Sequence, residues 1–281
     1  MRIGIFTVIV VFFCSFAVAQ HSGTENAIPQ EYKTNPPAQQ TVTDFQPDTF
    51  GACSNTFTSG SDNTYLAYCV QPDGNIIYIS TPAGHIMNSI DEGYGLCDAT
   101  APNTYFDFGD RFGASGNWGA PVQNSKTATA VKITRTTSDG IWTLTQAITQ
   151  VASTSSIKVS MTLKNNSSIA RTAYLTRYIY AAPDGVLFNN FDGTQNSAFS
   201  WNSIGSGTHP FGLILQNVGT SKFPAYNGFA QNTATPPVPC DYARYWTGGL
   251  AANINGSLIM VYTGVMPAGK SRIFTMTYKG L

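Results

Sequence analysis

Charge is scarce in this chain of 281 residues. Lysine and arginine number 15, aspartate and glutamate 15, and together they make up 11% of the sequence, against roughly 25% in an average soluble domain. The formal net charge of zero supplies no basic face to displace counterions, which argues against a nucleic-acid partner. Glutamate is nearly missing, with only Glu25, Glu31 and Glu92. Helical periodicity is missing too: no window of ten residues carries a convincing apolar stripe, and no segment repeats. After the N-terminus, no apolar run approaches the roughly 18 residues that a membrane-spanning helix needs, so no span is expected in the mature chain. Gly-x-Ser-x-Gly is absent, and no cysteine lies beside a histidine. Gly109, Gly113 and Gly116 have no helix after them, which excludes a dinucleotide cradle. Cys-x-x-Cys is absent, and His85 and His209 lack the spacing of a zinc pair. No metal and no cofactor is expected, and nothing in the sequence marks an enzyme.

What is present begins with an export signal. Met1 and Arg2 give a positive start, Ile3 to Phe16 is almost wholly apolar, and Ala17-Val18-Ala19 supplies the small residues of a cleavage site before Gln20. The run is too short to cross about 30 Å of hydrocarbon comfortably. We expect residues 1–19 to be a signal peptide and the protein to be secreted, extracellular or periplasmic. Removing them takes away Cys14 and leaves Cys53, Cys69, Cys97 and Cys240. Four cysteines in an exported chain predict two disulfides, with three pairings open. Cys240 ends a proline-rich loop, so a bridge back to the first third of the chain would restrain it. Residues 20–50, with Pro29, Pro36, Pro37 and Pro47 and many glutamines and threonines, read as a flexible lead-in. Residues 51–281 read as one domain.

With 42% hydrophobic and 12% aromatic residues, this domain has ample material for a core. Its pattern is strand after strand. Ile157, Val159, Met161 and Leu163 alternate with Lys158, Ser160, Thr162 and Lys164, a period of two with one wet face. Trp142, Leu144 and Ile148 share a face before it, and Asp139-Gly140 is a hairpin signal. Ala173, Leu175 and Ile179 alternate with tyrosines and Thr176 in the next run. Residues 128–180 therefore read as a meander of about four antiparallel strands. Earlier strands are expected over 65–70 and 75–80, joined by the turn Pro72-Asp73-Gly74, and later ones over 211–216, 257–263 and 272–279. The expected fold is all-β, a large antiparallel sandwich of two sheets packed face to face. Long aromatic-rich loops over 98–125, 181–196, 203–210 and 218–240 are where function is expected.

The segment SSIKVSMTLKNNSSIARTAYLTRYIY, with its Arg177-Tyr178 pair, resembles the galactose-mutarotase-like supersandwich β-domains. Gly74-Asn75-Ile76, Thr81 to Ile86 and Pro267 to Ser271 resemble the opening strands and closing hairpin of such domains. The resemblance covers about a third of the mature chain and implies fold before chemistry. It also implies a carbohydrate-related role, either as an active domain or as a non-catalytic companion. The family's sugar epimerases use histidines with a carboxylate, but no motif around His85 or His209 matches theirs, so no catalytic residue is carried over.

Three sets of residues could carry chemistry. Glycosidic hydrolysis needs two carboxyls about 5–10 Å apart. The candidates are Asp91, Glu92, Asp98, Asp107 and Asp110, with Glu92 as the general-acid suspect. Ordinary turn chemistry competes for the aspartates. Asp107 and Asp110 could also offer oxygens to calcium. The aromatic loops are the third set. Rings that stack on sugar C–H faces, beside amides and charges that bond hydroxyls, suit a neutral glycan. We therefore expect a ligand-binding surface made by Trp118, Trp201 and Trp246 with Asp107 and Arg111. The competing role of those rings is to plug the ends of the sandwich. The function expected is a non-catalytic carbohydrate-binding module. The alternatives are a carbohydrate-active enzyme, of glycoside hydrolase or sugar epimerase type, and an extracellular structural or adhesive protein.

Overall fold

A computed structural model describes residues 53–88, 91–101, 103–194, 196–202, 211–219, 225–231, 236, 238–244 and 251–280. The expected signal peptide and lead-in lie outside these residues. Eighteen strands form three antiparallel sheets among the described residues. The first has four strands in chain order: β1 (Asn55–Ser59), β2 (Leu66–Val70), β3 (Ile76–Ser80) and β4 (Ile86–Asn88). A five-stranded sheet is built from β5 (Glu92–Asp98), β6 (Asn103–Asp107), β11 (Arg171–Tyr180), β15 (Ala225–Gln231) and β17 (Ser257–Met266), in the order β15-β17-β11-β5-β6. The nine-stranded sheet takes β7 (Val122–Lys126), β8 (Ala130–Thr136), β9 (Trp142–Val151), β10 (Ser156–Asn165), β12 (Asn189–Gly193), β13 (Ser197–Trp201), β14 (Gly212–Asn217), β16 (Ala251–Ile254) and β18 (Ser271–Gly280). Its order is β16-β12-β13-β14-β18-β10-β9-β8-β7.

The two larger sheets pack face to face through the side chains that alternation predicts. Leu144 and Ile148 of β9, the Ile157-to-Leu163 series of β10 and Phe274 and Met276 of β18 meet Leu96 of β5, Leu175 and Ile179 of β11 and Met260 of β17 in one core. The four-stranded sheet adds Phe57, Tyr68, Ile76 and Ile79 to the same core. A smaller apolar cluster, Phe108, Tyr178, Tyr180, Ile259 and Val261, covers the other face of the five-stranded sheet. Both faces of β11 are therefore buried.

The meander expected over 128–180 is three strands rather than four. β8, β9 and β10 pair in sequence, but β11 leaves the sheet and pairs with β17 and β5 instead. The crossing turn is fixed by Asn165, whose side chain donates to the carbonyls of Ile169 and Met266 at 2.8 and 2.9 Å. Three of the expected loops contain strands of their own: β6 and a single helical turn α1 (Gly109–Phe112) within 98–125, β12 within 181–196 and β15 within 218–240. Residues 203–210 lie outside the described residues.

Both disulfides form, as Cys53–Cys69 and Cys97–Cys240. The second ties β5 to the proline-rich segment 143 residues later. On chain-entropy arguments the longer loop contributes about 5 kcal/mol and the 16-residue loop about 3 kcal/mol. Replacing Cys97 and Cys240 by serine should therefore lower the urea midpoint more than replacing Cys53 and Cys69. Equal losses would mean that the denatured state does not gain the expected freedom.

Candidate functional site

Four ion pairs are buried among the described residues, Glu92–Arg177, Asp107–Arg135, Asp98–Arg171 and His85–Asp184, and the network around the second reaches solvent. The deepest is Glu92 with Arg177, both fully buried and diagonal to each other on β5 and β11, where Glu92 pairs with Ile179 and Arg177 with Tyr94. Arg177 Nε donates to Glu92 Oε1, and an Nη donates to Oε2 at 2.8 Å. The Tyr278 hydroxyl and the Ile76 N–H donate to the same carboxylate at 2.5 and 2.6 Å. Burial pushes the Glu92 carboxyl above the ordinary glutamate range, while Arg177, Tyr278 and the Ile76 N–H pull it back. With four donors on its oxygens and no exposure, Glu92 has neither a route to solvent nor a free lone pair for a substrate. The general-acid role expected of it is corrected to a structural one.

The β2–β3 turn penetrates to this pair. Its Gly74 carbonyl accepts from Arg177 at 2.9 Å. The Asp73 carbonyl accepts from Tyr94 Oη at 3.0 Å and from Gln146 Nε2 at 3.2 Å. Gln146 in turn accepts from Arg177. Gly74 has φ +96°, and a Cβ there would stand 2.4 Å from Gln146 Nε2. Only glycine both adopts that backbone and allows the approach.

From the same turn the network runs outward to Asp107. Asn75 Nδ2 donates to Asp107 Oδ1 at 2.8 Å, and Arg135 donates to Asp107 Oδ2 at 2.5 Å. Arg135 also reaches the Tyr94 hydroxyl at 2.9 Å and the Gly119 carbonyl at 3.0 Å. Its guanidinium lies 5.7 Å from the Trp118 ring centre, within cation–π range. Gly93 admits the Asp107 backbone, because a Cβ there would fall 2.0 Å from the Asp107 carbonyl oxygen. The Asp73 side chain is half-buried at the end of this chain of bonds. Burial and the neighbouring Asp107 charge push its carboxyl up to about 6, against the Asn75 N–H and Arg135.

Two of the expected site residues, Asp107 and Trp118, thus meet through Arg135. Trp118 is only 7% exposed, packed edge-on to Tyr94 and tilted against Tyr105. Trp201 is fully buried and stacked on Phe199. The open rings expected for a sugar platform are corrected at both positions to packed ones, since each ring covers its neighbours. Trp246 and His209 lie outside the described residues, as do the side chains of Arg111 and Asp110. Both Asp107 oxygens are already occupied by Asn75 and Arg135, which opposes its use for calcium. No group of three acidic, histidine or cysteine side chains suited to a metal occurs among the described residues. Asp98 is buried and accepts from Arg171 at 2.6 Å and Trp142 Nε1 at 3.2 Å. Asp91 is buried next to Glu92. His85 is buried, bonded to Asp184 at 2.8 Å and stacked on Phe211.

The arginines were missed, although a signal existed. Arg177 lies between Leu175 and Ile179, and Arg135 follows Val131 and Ile133, each in the inward register of an apolar strand. A charge there demands a buried partner.

Two outcomes follow. Arg177→Met leaves Glu92 buried and unpaired, and should cost about 3–5 kcal/mol in urea unfolding. The double variant Glu92→Leu/Arg177→Met should recover part of that loss. Asp73 binds its proton more tightly folded than unfolded, because its carboxyl is raised from 3.8 to about 6. Its stabilising contribution is full below the unfolded value and is lost as pH rises through the folded one. The stability of Asp73→Asn relative to the unaltered chain should therefore increase between pH 4 and pH 7. A pH-independent difference would place the raised carboxyl elsewhere.

No known protein family matches the sequence, and no curated protein does. Among solved structures, a bacterial glucoamylase complexed with acarbose is similar at a TM-score of 0.52 and 9% identity. The match covers 89% of this chain and 35% of that one, so this chain spans about a third of the glucoamylase. A putative aldose 1-epimerase from Escherichia coli K12 is similar at a TM-score of 0.46 and 10% identity, over 81% of this chain and 99% of that one. A galactose mutarotase related enzyme from Lactobacillus acidophilus is similar at 0.46 and 6%, over 81% and 97%. The chain is an all-β sandwich, similar in fold to the matching third of the glucoamylase.

Proposed function

We propose that this chain is an exported, carbohydrate-binding β-sandwich whose ligand meets the Asp73 end of the Asp107 network. The observation that carries the reading is a concentration of polar groups in a chain with 11% charged residues. Two carboxyls, a guanidinium, an amide and a phenol converge around Asp107, and Asp73 extends them to solvent. Asp73 is the member that can bond a sugar hydroxyl, and the buried groups behind it hold it in place before a ligand arrives. Two disulfides fit an oxidising compartment. In this reading residues 1–19 are removed, residues 20–50 form the lead-in and residues 51–281 form the domain.

A second reading is favoured by one specific feature. A carboxyl that keeps its proton to about pH 6 beside an ion-paired carboxylate is the arrangement of a general acid with an anionic partner. Here the acid would be Asp73, in place of Glu92.

One experiment separates the two. Residues 20–281 are mixed with a panel of insoluble neutral polysaccharides, and both depletion from solution and released reducing sugar are measured. Depletion without release, weakened by about tenfold (1.4 kcal/mol) in Asp73→Ala while that variant stays folded at the assay temperature, is the outcome expected of a binding protein. Release that is lost in Asp73→Asn and falls as pH rises above 6 would favour the hydrolytic reading. Neither depletion nor release would remove the carbohydrate role.

A further inference from the structure

The formal charge balance conceals a separation of charge between interior and surface. Asp91, Glu92, Asp98, Asp107 and Asp184 are all buried, whereas Lys126, Lys132, Lys158, Lys164, Lys270 and Lys279 are all exposed. Four of those lysines lie on one surface. The inward residues of β8, β9, β10 and β18 form the core, so the alternate residues face out. The outward set is Ala130, Lys132, Thr134 and Thr136 on β8, and Thr143, Thr145, Ala147, Thr149 and Val151 on β9. It continues with Lys158, Ser160, Thr162 and Lys164 on β10, and Ser271, Ile273, Thr275, Thr277 and Lys279 on β18. On these four strands the set holds no acidic residue and no aromatic ring; beyond β18 the same register adds Ile214, Phe199 and Asp192. None of its four lysines makes an ion pair or side-chain hydrogen bond among the described residues.

Register fixes the spacing of these charges. Lys158 pairs with Thr277, which puts Lys279 one strand over and two residues along, about 8 Å away by standard sheet dimensions. Lys132 pairs with Ala147, which pairs with Ser160, so Lys132 stands about 12 Å from Lys158. Lys164 is six residues up the same strand, about 20 Å distant. Between them the hydroxyls are tied across strands, Thr134 to Thr145 at 2.9 Å, Thr136 to Thr143 at 3.0 Å and Ser160 to Thr275 at 3.3 Å. The result is a broad, fixed, positive surface lined by hydroxyls.

We propose that the outer face of β8, β9, β10 and β18 binds an acidic polysaccharide, through lysine contacts to carboxylate or sulfate groups and hydroxyl contacts from the threonines. The inference goes beyond the Asp107 site, and rests on the carbohydrate reading only for its choice of a glycan. Its chemistry differs from that of a nucleic-acid surface, which draws on arginine forks and on rings for base stacking; the outward set of these four strands has neither. The strength of the attraction comes from charge, so salt controls it.

The test is retention of residues 20–281 on immobilised dextran sulfate and polygalacturonate, with neutral dextran, duplex DNA and vesicles of anionic phospholipid as comparisons. Two double variants remove equal charge: Lys158→Gln/Lys279→Gln within the outward set, and Lys126→Gln/Lys270→Gln outside it, opposite the inward Val131 and in the turn before β18. All four side chains are exposed, so folding should survive. The face variant should lose about tenfold in affinity at low salt and flatten the salt slope by about one per contact removed. The control variant should stay near the unaltered chain. Equal losses in both variants, no retention on either acidic polymer, or retention on DNA or vesicles at least as strong would each overturn the proposal. Binding to neutral polysaccharides without binding to acidic ones would overturn it while leaving the Asp107 reading standing.

Discussion

Everything in this sandwich is arranged around one buried ion pair. Glu92 and Arg177 lie with no exposure between sheets whose other inward residues are almost all apolar. Removing two charges from water costs several kcal/mol per ion, and only close geometry with further hydrogen bonds offsets it. The protein supplies those bonds from every side: Tyr278 from β18, the Ile76 N–H from β3, Gln146 from β9 and the Gly74 carbonyl from the β2–β3 turn. Each of those elements is thereby held in one register. Slipping any of them by one residue would turn its polar group to the opposite face and leave a buried charge short of partners. On that balance the pair adds little net stability for its size, and its bonds to β3, β9, β18 and the β2–β3 turn connect all three sheets at one point.

The same demand explains how the acidic residues are spent. Glu92, Asp98, Asp107 and Asp184 are all engaged by interior donors, from Arg177, Arg171, Arg135 and His85 in turn. With so few charges in the chain, binding the acids internally leaves lysine as the main exposed charge. A net charge of zero is therefore a poor guide to the surface field. It is a sum over groups that water sees and groups that it does not, and the two subsets differ in sign.

Alternation made much of the fold legible, because burial of one sheet face is recorded directly in a period of two. It gave β9, β10 and β18 with their inward faces, and the four cysteines gave two bridges. Alternation is blind to which strands pair, so the departure of β11 into the second sheet was hidden. The turn Asn165 to Ser168 looks like any hairpin turn until Asn165 is seen bonding across to Met266. The site was less legible for a related reason. Asp73 reads as ordinary turn chemistry in Pro72-Asp73-Gly74, and only the insertion of that turn toward Arg177 raises its carboxyl. The rarity of glutamate pointed at Glu92, yet rarity carries no information about solvent access. Tryptophan suits a sugar platform and a sealed core equally well. Burial alone separates the two, and at Trp118 and Trp201 it favours the core.

Where such a protein can bind follows from how its interior is closed. The space between the two large sheets, which other sandwiches can open as a cleft, is occupied here by a turn and crossed by a continuous set of hydrogen bonds from Glu92 to Asp107. A ligand entering there would have to break contacts among buried charged groups, each costing several kcal/mol to leave unpaired. Recognition is confined to the margins that the network supports from behind. One is the Asp73 end, where the interior polar groups reach water. The other is the outer face of the nine-stranded sheet, where Lys158 and Lys279 stand on strands whose inward side carries Tyr278 and the core. In both places the backbone beneath an exposed group is tied back to the buried pair, through Tyr278 beside Lys279 and through Gly74 beside Asp73.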